Sequence, residues 1–382
     1  MDRSPGGCAM KVLVTGAAGF IGAHCVRRLL LDGHEVVGLD NFNDYYDPAL
    51  KEDRVRWICR EAGDFPLWRL DLGDADGVAG LFAAQRPEVV VHLAAQAGVR
   101  HSLSDPHAYV RSNLAGFLNI LEGCRRQPVQ HLVYASSSSV YGANQHTPHS
   151  VQDNVDHPLS LYAASKKANE LMAHSYSYLF GIPATGLRFF TVYGPWGRPD
   201  MSPIQFARAI VEGRPLRLFN YGRHQRDFTY IDDIVEGVVR LLPQPPRSDP
   251  HWDRERPRAE SSMAPWRLYN IGGHRPIALT DYIDTLERHL GRKALRELLP
   301  LQPGDVLDTC ADVSELQRDT GFQPQVSLEE GLARFVSWFC HYYRIDSPDA
   351  PAISSAAADG ELSREVMRNE CPGKLVSTAQ LR

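Results

Sequence analysis

The chain has 382 residues, of which 43% are hydrophobic and 23% charged, and these values predict a globular protein with room for two lobes or one large domain. A formal net charge of −5 argues against binding to nucleic acid, because proteins that grip the phosphate backbone present a strongly basic surface. The seven cysteines are scattered and no apolar run is long enough for a membrane span or signal peptide, which predicts a cytoplasmic protein with reduced thiols and no membrane partner.

From Lys11 onward, short runs rich in Val and Leu alternate with longer amphipathic patterns, as is typical of a parallel sheet with crossover helices. The predicted strands are 11–14, 35–39, 68–71, 89–93, 131–135 and 184–190. The predicted helices between them include 20–31, 108–126 and 162–179. After an N-terminal extension, residues 1–10, the pattern predicts a Rossmann-type α/β fold with a doubly wound parallel sheet over residues 11–193.

After Tyr193 the pattern changes to short elements separated by Pro and Gly, which predicts a smaller C-terminal α/β lobe, residues 194–345, for the substrate. Its predicted strands are 216–219 and 267–271, and its predicted helices are 204–212, 234–242, 281–290 and 328–343. Residues 243–265 are dense in Pro, Arg, Asp and Ser and predict a surface insertion. Residues 346–382 carry no sustained apolar period and predict a disordered tail.

Three glycines follow the first predicted strand in the spacing Gly-x-x-Gly-x-x-Gly, and an amphipathic helix begins among them. Glycines in this context permit a tight turn and a close backbone approach, and the helix N-terminus offers free N–H groups to a pyrophosphate. Ordinary turns also use glycine, so the loop alone is weak evidence. The expected cofactor contacts in it are Gly16, Ala18, Gly19, Phe20, Ile21 and Gly22.

Asp40 ends the second predicted strand, 24 positions after Gly16, which is close to where an acidic residue binds the adenosine ribose in dinucleotide sites. A carboxylate there repels a 2′-phosphate, so Asp40, with the adjacent Asn41, predicts NAD rather than NADP. Two further loops lie at the carboxyl ends of strands, where ligands of such sheets bind, although plain loops would explain them equally well. Their candidate cofactor contacts are Asp71, Leu72, Leu93, Ala94 and Ala95.

Tyr162 and Lys166 lie one helical turn apart, so they project from the same face of a helix. A nearby cation stabilises a phenolate, which makes such a Tyr a usable general base. The spacing is common by chance, and its position is what gives it weight. The helix follows a run of four serines, residues 136–139, at the end of the fifth strand, although a Ser-rich turn is the alternative explanation for that run.

The chain resembles the extended short-chain dehydrogenases/reductases of the NAD-dependent epimerase/dehydratase family, and within them the UDP-glucuronate 4-epimerases. The resemblance extends from about residue 10 to residue 343. Its motifs are Thr-Gly-Ala-Ala-Gly-Phe-Ile-Gly (15–22), Ala-Gly-Val-Arg-His-Ser (97–102), Tyr-Ala-Ser-Ser-Ser-Ser-Val-Tyr-Gly (134–142), Tyr-Ala-Ala-Ser-Lys (162–166), and the segments 188–201 and 225–233.

The resemblance implies a catalytic set of Ser137, Tyr162 and Lys166, with Lys166 also holding the nicotinamide ribose. It implies that Arg226 contacts the substrate diphosphate and that Asp305 lies near the uridine ribose. Related hexose epimerases tend to carry an Arg three places before that Asp, where this chain has Gln302, so the grip on the nucleotide differs here. It further implies a homodimer, formed through the predicted helices 108–126 and 162–179.

The implied reaction interconverts UDP-glucuronate and UDP-galacturonate by epimerisation at C4, through a transient 4-keto sugar and tightly bound NAD. The carboxylate of that intermediate lies β to the ketone and is lost as carbon dioxide unless the enzyme holds it out of alignment. Hydroxyls and a cation serve that purpose. The candidates are Ser138, Ser139, Thr191 and Arg198, with Ser137 as a further hydroxyl.

Neutral serines argue against two neighbouring activities. Sugar 4,6-dehydratases carry Thr-Asp-Glu where this chain has residues 137–139, and UDP-glucuronate decarboxylases keep a Glu at the third place. UDP-galactose 4-epimerases usually carry Asn at the position of Thr191. The alternatives for single residues are a core-facing Thr191, a solvated loop arginine at 198 and a loop cap at Arg100, which is otherwise a candidate for substrate binding.

Two other functional classes are alternatives to an epimerase. A regulator that senses NAD without turnover needs the glycine loop but none of the catalytic residues, all of which are present. A metal enzyme is disfavoured, because the fifteen histidines include no His-x-x-x-His or His-Glu-x-x-His pattern, and we expect no metal site.

Overall fold

The computed structural model describes residues 9–301 and 308–345, together with the backbone of residues 375–376. Its strands are β1 Lys11–Thr15, β2 Glu35–Asp40, β3 Leu67–Arg69, β4 Val89–His92, β5 His131–Ser137, β6 Ala184–Phe189, β7 Thr191–Tyr193, β8 Pro215–Leu218, β9 Gln225–Arg226, β10 Phe228–Tyr230, β11 Trp266–Ile271, β12 Ile277–Ala278, β13 Leu295–Leu298 and β14 Leu375–Val376. Its α-helices are α1 Phe20–Leu31, α2 Ala49–Ala62, α3 Ala75–Gln85, α4 His101–Ser104, α5 Pro106–Tyr109, α6 Gly116–Arg126, α7 Leu161–Phe180, α8 Ser202–Val211, α9 Ile231–Leu241, α10 Leu279–Leu290, α11 Ser314–Thr320 and α12 Leu328–Tyr343.

One parallel sheet organises the molecule, with the strand order β11-β6-β5-β4-β1-β2-β3-β14. The order reverses at β1, which pairs with β2 on one side and β4 on the other. This reversal opens a crevice at the carboxyl ends of the strands, which is where doubly wound sheets bind their ligands. The predicted Rossmann-type fold is therefore confirmed.

The core lies on both faces of this sheet. Along β1, Val12 and Val14 pack in one cluster and Leu13 packs in the other, because successive side chains of a strand point to opposite faces. Helices α1, α2 and α9 cover the first face, and α3, α6 and α7 cover the second. Burial on both faces explains why the strands read as nearly continuous apolar runs in the sequence.

The helix predicted over residues 108–126 lies within an unbroken helical segment, part of which is π-helical. It consists of α5, a π-helix over Val110–Ala115, and α6. The widened turn carries Asn113, whose side chain is buried and accepts from the backbone N–H of Gln96 while donating to the Gln96 carbonyl and to Ser165 Oγ. Single π turns of this kind occur often at functional sites. Here the turn ties the loop after β4 to helix α7.

The C-terminal part of the chain does not stay apart from the first sheet. Strand β11 pairs in parallel with β6 over six residue pairs and so extends the central sheet. The remaining strands form small two-stranded sheets, β7 with β10, β8 with β13 and β9 with β12. Residues 243–265 contain no helix or regular strand and are mostly exposed.

The predicted disordered tail falls largely on residues outside the described part of the chain. Its Leu375 and Val376 are described as strand β14, which pairs with β3 at the edge of the sheet. The five cysteines within the described residues form no disulfide. Among the helices of the described residues, none has the length and apolar character that a bilayer crossing requires.

A buried ion pair fixes α7 against the sheet. Glu170 of α7 accepts from Arg188 Nε and Nη2 of β6 at 2.9 and 3.0 Å, and also from the Ser136 hydroxyl of β5 at 2.7 Å. Both charged side chains are 1% exposed. Two charges at this depth are stable only as a pair, since an unpartnered buried charge carries a large desolvation penalty.

We therefore expect Glu170→Gln to lower the free energy of unfolding by about 3–5 kcal/mol, because Arg188 would keep its charge and lose its counter-ion. Urea unfolding followed by circular dichroism measures this difference. Glu329→Gln, which breaks an exposed ion pair with Arg288, is the matched control and should leave the transition almost unchanged. Equal effects of the two substitutions would contradict the expectation.

Candidate active site

A cleft of about 440 Å³ opens at the carboxyl ends of the central strands. It gathers residues from the loops after β1, β2, β3, β4, β5 and β6 together with one face of α7. The predicted site residues that line it are Gly16, Gly19, Phe20, Ile21, Gly22, Asp40, Asn41, Asp71, Leu72, Leu93, Ala94, Ala95, Ser137, Ser138, Ser139, Tyr162, Lys166, Thr191 and Arg198.

Three predicted site residues lie elsewhere, and a fourth is outside the described part of the chain. Ala18 is buried beneath the glycine loop, where its N–H donates to Asp40 Oδ2. Arg100 is exposed at the start of α4 and does not line the cleft. Arg226 lies in β9, outside the cleft, and its Nη1 donates to the Gln225 carbonyl. Asp305 falls outside the described residues, as does Gln302. Their roles stay predictions.

One segment that contributes to the cleft was not predicted from the sequence beyond Asp40 and Asn41. It follows β2, and its position depends on the fold around it. Its place directly after a strand of the parallel sheet was the available signal, as it was for the glycine loop and for the predicted loop after β4. The other lining residues are Leu39, Asn43, Tyr45, Tyr46, Lys51, Leu70, Gln96, Ala97, Gly98, Val99, Ser112, Ala135, Ser136, Phe189, Phe190, Val192 and Met201.

The glycine loop has the shape that a pyrophosphate requires. Gly16 adopts a φ of +71°, and a Cβ there would lie 2.9 Å from the backbone nitrogen of Ala94. A Cβ at Gly22 would collide with the Gly16 carbonyl oxygen. The two glycines therefore let the first turn of α1 pack tightly beneath the loop, and the N-terminus of that helix begins at the cleft.

Asp40 is held as a charged acceptor at the end of β2. It is 5% exposed and accepts hydrogen bonds from the backbone N–H groups of Ala18 and Phe42. Lys51, one of the residues that the sequence analysis missed, donates to Asp40 Oδ1 at 3.2 Å and also to Asn43 Oδ1. This carboxylate fits a ribose diol, and together with the glycine loop it fits the adenosine half of NAD.

Helix α7 presents Tyr162 and Lys166 to the opposite part of the cleft. The helix begins cleanly because Ser160 caps it, accepting from the Ala163 N–H at 3.1 Å. Lys166 donates to the Ala135 carbonyl at 2.9 Å, and burial lowers its pKa to about 8. The pKa of Tyr162 lies above its ordinary value, because burial outweighs the nearby Ser137 hydroxyl and the Arg198 charge, which lower it. Both Tyr162 and Lys166 line the cleft.

All four serines of the run line the cleft. Ser136 is buried and its hydroxyl donates to Glu170, so its side chain also supports the site. Ser137 caps the following 3₁₀ turn by accepting from the Ser139 N–H at 3.1 Å. Residues 137–139 all line the cleft, so the run is more than a Ser-rich turn.

Thr191 and Arg198 add a hydroxyl and a cation to the same wall. Thr191 opens β7, is partly exposed and lines the cleft, which excludes the core-facing alternative. Arg198 is not a solvated loop arginine, because Asp200 holds its guanidinium through two hydrogen bonds, from Nε at 3.0 Å and Nη2 at 2.6 Å. Although burial lowers the pKa of Arg198, the Asp200 contact outweighs it and raises the pKa above its ordinary value.

Within residues 9–301 and 308–345, no group of three or more His, Cys, Asp or Glu side chains is arranged to hold a metal ion. The cleft brings Tyr162 and Lys166 together with a glycine loop that fits a dinucleotide. With a dinucleotide bound as the hydride acceptor, a tyrosine that takes the hydroxyl proton can support the reversible oxidation of an alcohol carbon.

Known proteins share this arrangement. A model of the NAD-dependent epimerase/dehydratase family matches residues 12–253. A probable UDP-glucuronate 4-epimerase of Rhizobium meliloti is 48% identical over 336 residues, covering 88% of this chain and 98% of the relative.

Two solved structures are similar over nearly the whole described fold. One is UDP-glucuronic acid 4-epimerase from Bacillus cereus with UDP-glucuronic acid and NAD, with a TM-score of 0.74 and 34% identity, covering 87% of this chain and 100% of that one. The other is UDP-glucose 4-epimerase from Thermus thermophilus with NAD, with a TM-score of 0.71 and 31% identity, covering 86% and 99%. The chain thus belongs to the NAD-dependent epimerase/dehydratase family.

Proposed function

We propose that this chain interconverts UDP-glucuronate and UDP-galacturonate by epimerisation at C4, with NAD as its bound cofactor. The observation that carries the proposal is the cleft wall opposite the glycine loop. Tyr162 and Lys166 line the same cleft as neutral serine and threonine hydroxyls and the Arg198 side chain. The Rhizobium meliloti relative and the Bacillus cereus structure, whose names describe the same activity, support it.

The residues of the cleft have separate roles in this reaction. Tyr162 takes the proton of the sugar 4-hydroxyl and returns it, and Ser137 shares that proton by hydrogen bonding. The Lys166 cation stabilises the Tyr162 phenolate. NAD, when bound, supplies the acceptor that takes and returns two electrons at C4. Gly16, Gly22 and the Asp40 carboxylate hold it by its pyrophosphate and adenosine ribose.

The remaining wall protects the sugar carboxylate. A 4-keto uronate loses carbon dioxide when the bond to its carboxylate aligns with the carbonyl π system. Ser138, Ser139 and Thr191 supply hydroxyl donors, and Arg198 supplies a positive charge, and all four line the cleft. A carboxylate held by these groups keeps one orientation while the ketone turns over, so the two faces of C4 can react without decarboxylation.

A UDP-glucose 4-epimerase is the alternative activity within the same family, and the Thermus thermophilus relative represents it. The positively charged Arg198 argues against UDP-glucose as the substrate, because a neutral hexose offers this arginine no carboxylate to bind. A decarboxylase or dehydratase requires an acid where Ser139 lies. At the far end of the substrate we propose that Arg226 contacts the diphosphate, that Asp305 lies near the uridine ribose and that Arg100 reaches the substrate, as the family resemblance implies.

Incubation of the purified protein with UDP-glucuronate should yield UDP-galacturonate without added NAD, and NMR of the reaction mixture identifies the product. Tyr162→Phe should abolish the conversion, because the phenylalanine ring cannot accept the 4-hydroxyl proton, while NAD content and fold are retained. Tyr178→Phe removes the hydroxyl of an exposed tyrosine on the same helix and serves as the matched control.

Three outcomes would contradict the proposal. Activity that survives Tyr162→Phe would exclude this residue as the base. A UDP-xylose or pentulose product would show that the carboxylate is not protected. Retained NAD with every UDP-sugar unchanged would instead favour a regulator that senses the cofactor.

The charge of residue 139 should matter for substrate choice. Ser139→Glu adds a second negative charge at the wall that receives the carboxylate, and like charges a few ångströms apart repel one another. We expect UDP-glucuronate to bind about ten-fold more weakly, which corresponds to about 1.4 kcal/mol. Isothermal titration calorimetry with UDP-glucuronate and, separately, with UDP-glucose measures how the substitution changes the relative affinity for the two sugars. Ser139→Gln, of the same size but uncharged, controls for bulk, and an equal loss in both variants would exclude a charge effect.

We also propose that the protein is a cytoplasmic homodimer that pairs through α6 and α7. Leu118 of α6 and Leu171 and Leu179 of α7 are large apolar side chains that the single chain leaves exposed. Leu171→Asp should therefore favour the monomer, as measured by light scattering at micromolar concentration. Leu31→Asp places the same charge on an exposed leucine of α1 and should leave the mass unchanged. A monomeric mass for the unmodified protein would contradict the proposal.

A further inference from the structure

Arg198 is held in place by a partner that the proposed reaction does not use. The Asp200 carboxylate accepts from Arg198 Nε at 3.0 Å and from Nη2 at 2.6 Å, so the guanidinium is bound side-on. Asp200 Oδ2 also accepts from the Tyr45 hydroxyl at 3.1 Å. Tyr45 comes from the loop after β2, 155 residues before Asp200 in the sequence. Its hydrogen bond holds Asp200, and Asp200 in turn holds Arg198.

The side-on geometry leaves part of the guanidinium available. Arginine has five N–H donors, and Asp200 engages the one on Nε and one on Nη2. The two donors on Nη1 have no partner in the described part of the chain. Arg198 lines the cleft and Asp200 does not, so the guanidinium is available at the cleft while its partner is not among the lining residues.

The clamp is itself packed. The Tyr45 ring lies 4.8 Å from the His101 ring, centroid to centroid, and its hydroxyl fills the space that a Cβ at Gly98 would need. Gly98 has a φ of +100°, and its carbonyl accepts from the Tyr109 hydroxyl. Tyr45 is thus fixed between two loops of the cleft. Burial raises the pKa of Asp200, but the contacts with Arg198 lower it by more. The pKa therefore lies below its ordinary value, and the carboxyl group is charged.

We infer that Asp200 is a positioning residue: with Tyr45 it fixes Arg198 so that the guanidinium holds the carboxylate of the bound uronate in one orientation. The inference rests on the proposed function, in which Arg198 binds that carboxylate. An arginine fixed in advance loses little conformational freedom on binding and defines a direction as well as a charge. A free arginine would supply the charge alone.

The consequence of a loose arginine is a defined side reaction. In the 4-keto intermediate, rotation of the carboxylate aligns the C5–C6 bond with the carbonyl. That bond then breaks, its electron pair enters the enolate of the ketone, and C6 leaves as carbon dioxide. A proton from water adds at C5, giving UDP-4-keto-pentose. The two electrons that were removed from C4 stay with the bound cofactor, so the side reaction needs no further oxidant.

Asp200→Asn tests the inference. The variant keeps the Arg198 charge and the size of the side chain but removes the ionic clamp. Carbon dioxide released from UDP-glucuronate labelled at C6 is counted against the UDP-galacturonate formed. We expect the ratio of decarboxylation to epimerisation to rise about ten-fold. This corresponds to a change of about 1.4 kcal/mol in the difference between the two activation free energies. Calorimetry should show that UDP-glucuronate still binds, since the cation remains.

Two further variants separate positioning from general damage. Asp319 also accepts from an arginine and a tyrosine hydroxyl, Arg318 and Tyr269, but it lies away from the cleft, so Asp319→Asn is the matched control and should keep the wild-type ratio. Tyr45→Phe leaves the ion pair and removes only its support. Tyr45→Phe should raise the ratio of decarboxylation to epimerisation less than Asp200→Asn does. The double variant, with both substitutions, should show a ratio no higher than that of Asp200→Asn alone.

The outcomes distinguish the inference from the proposed function. If the unmodified protein epimerises UDP-glucuronate and Asp200→Asn keeps its product ratio, the positioning role is wrong and the proposed function stands. Loss of UDP-glucuronate binding in a folded Asp200→Asn variant that retains NAD would likewise overturn the positioning role. If the unmodified protein does not epimerise UDP-glucuronate, the proposed function fails, and the inference fails with it.

Discussion

The buried ion pair between Glu170 and Arg188 is the constraint on which the cleft depends. Glu170 lies one helical turn beyond Lys166 and two beyond Tyr162, so the three side chains share one face of α7. Arg188 comes from β6, and Ser136, which also binds Glu170, directly precedes the serines of the cleft. One pair of charges therefore sets the distance between the base on the helix and the hydroxyls at the end of the sheet.

The cofactor end of the cleft is built on backbone geometry instead. Gly16 and Gly22 bring the loop and the first turn of α1 into contact at separations that no side chain would permit. At Asp40, Lys51 offsets the carboxylate without replacing its hydrogen bonds to backbone N–H groups. The two ends of the cleft thus differ in kind, one rigid through sterics and the other through a buried salt bridge.

Local patterns in the sequence predicted the strands, the glycine loop and the spacing of Tyr162 and Lys166, because each depends on residues that are near in the chain. The π turn at Asn113 was not predictable, since it serves contacts with Gln96 and Ser165 that appear only in three dimensions. Lys51 and Tyr45 were missed for the same reason. Arg198 was identified as a cation, but its clamp by Asp200 involves Tyr45, which is distant in sequence.

Strand β11 gives the chain a topology that affects its synthesis. Its residues Trp266–Ile271 come about halfway through the second lobe, yet they complete the edge of the first sheet beside β6. When β6 has just left the ribosome, its outer edge is therefore open and apolar. It stays open until some 75 further residues have been synthesised and β11 can pair with it. The two lobes must mature together, which makes them poor candidates for exchange as separate modules between related proteins.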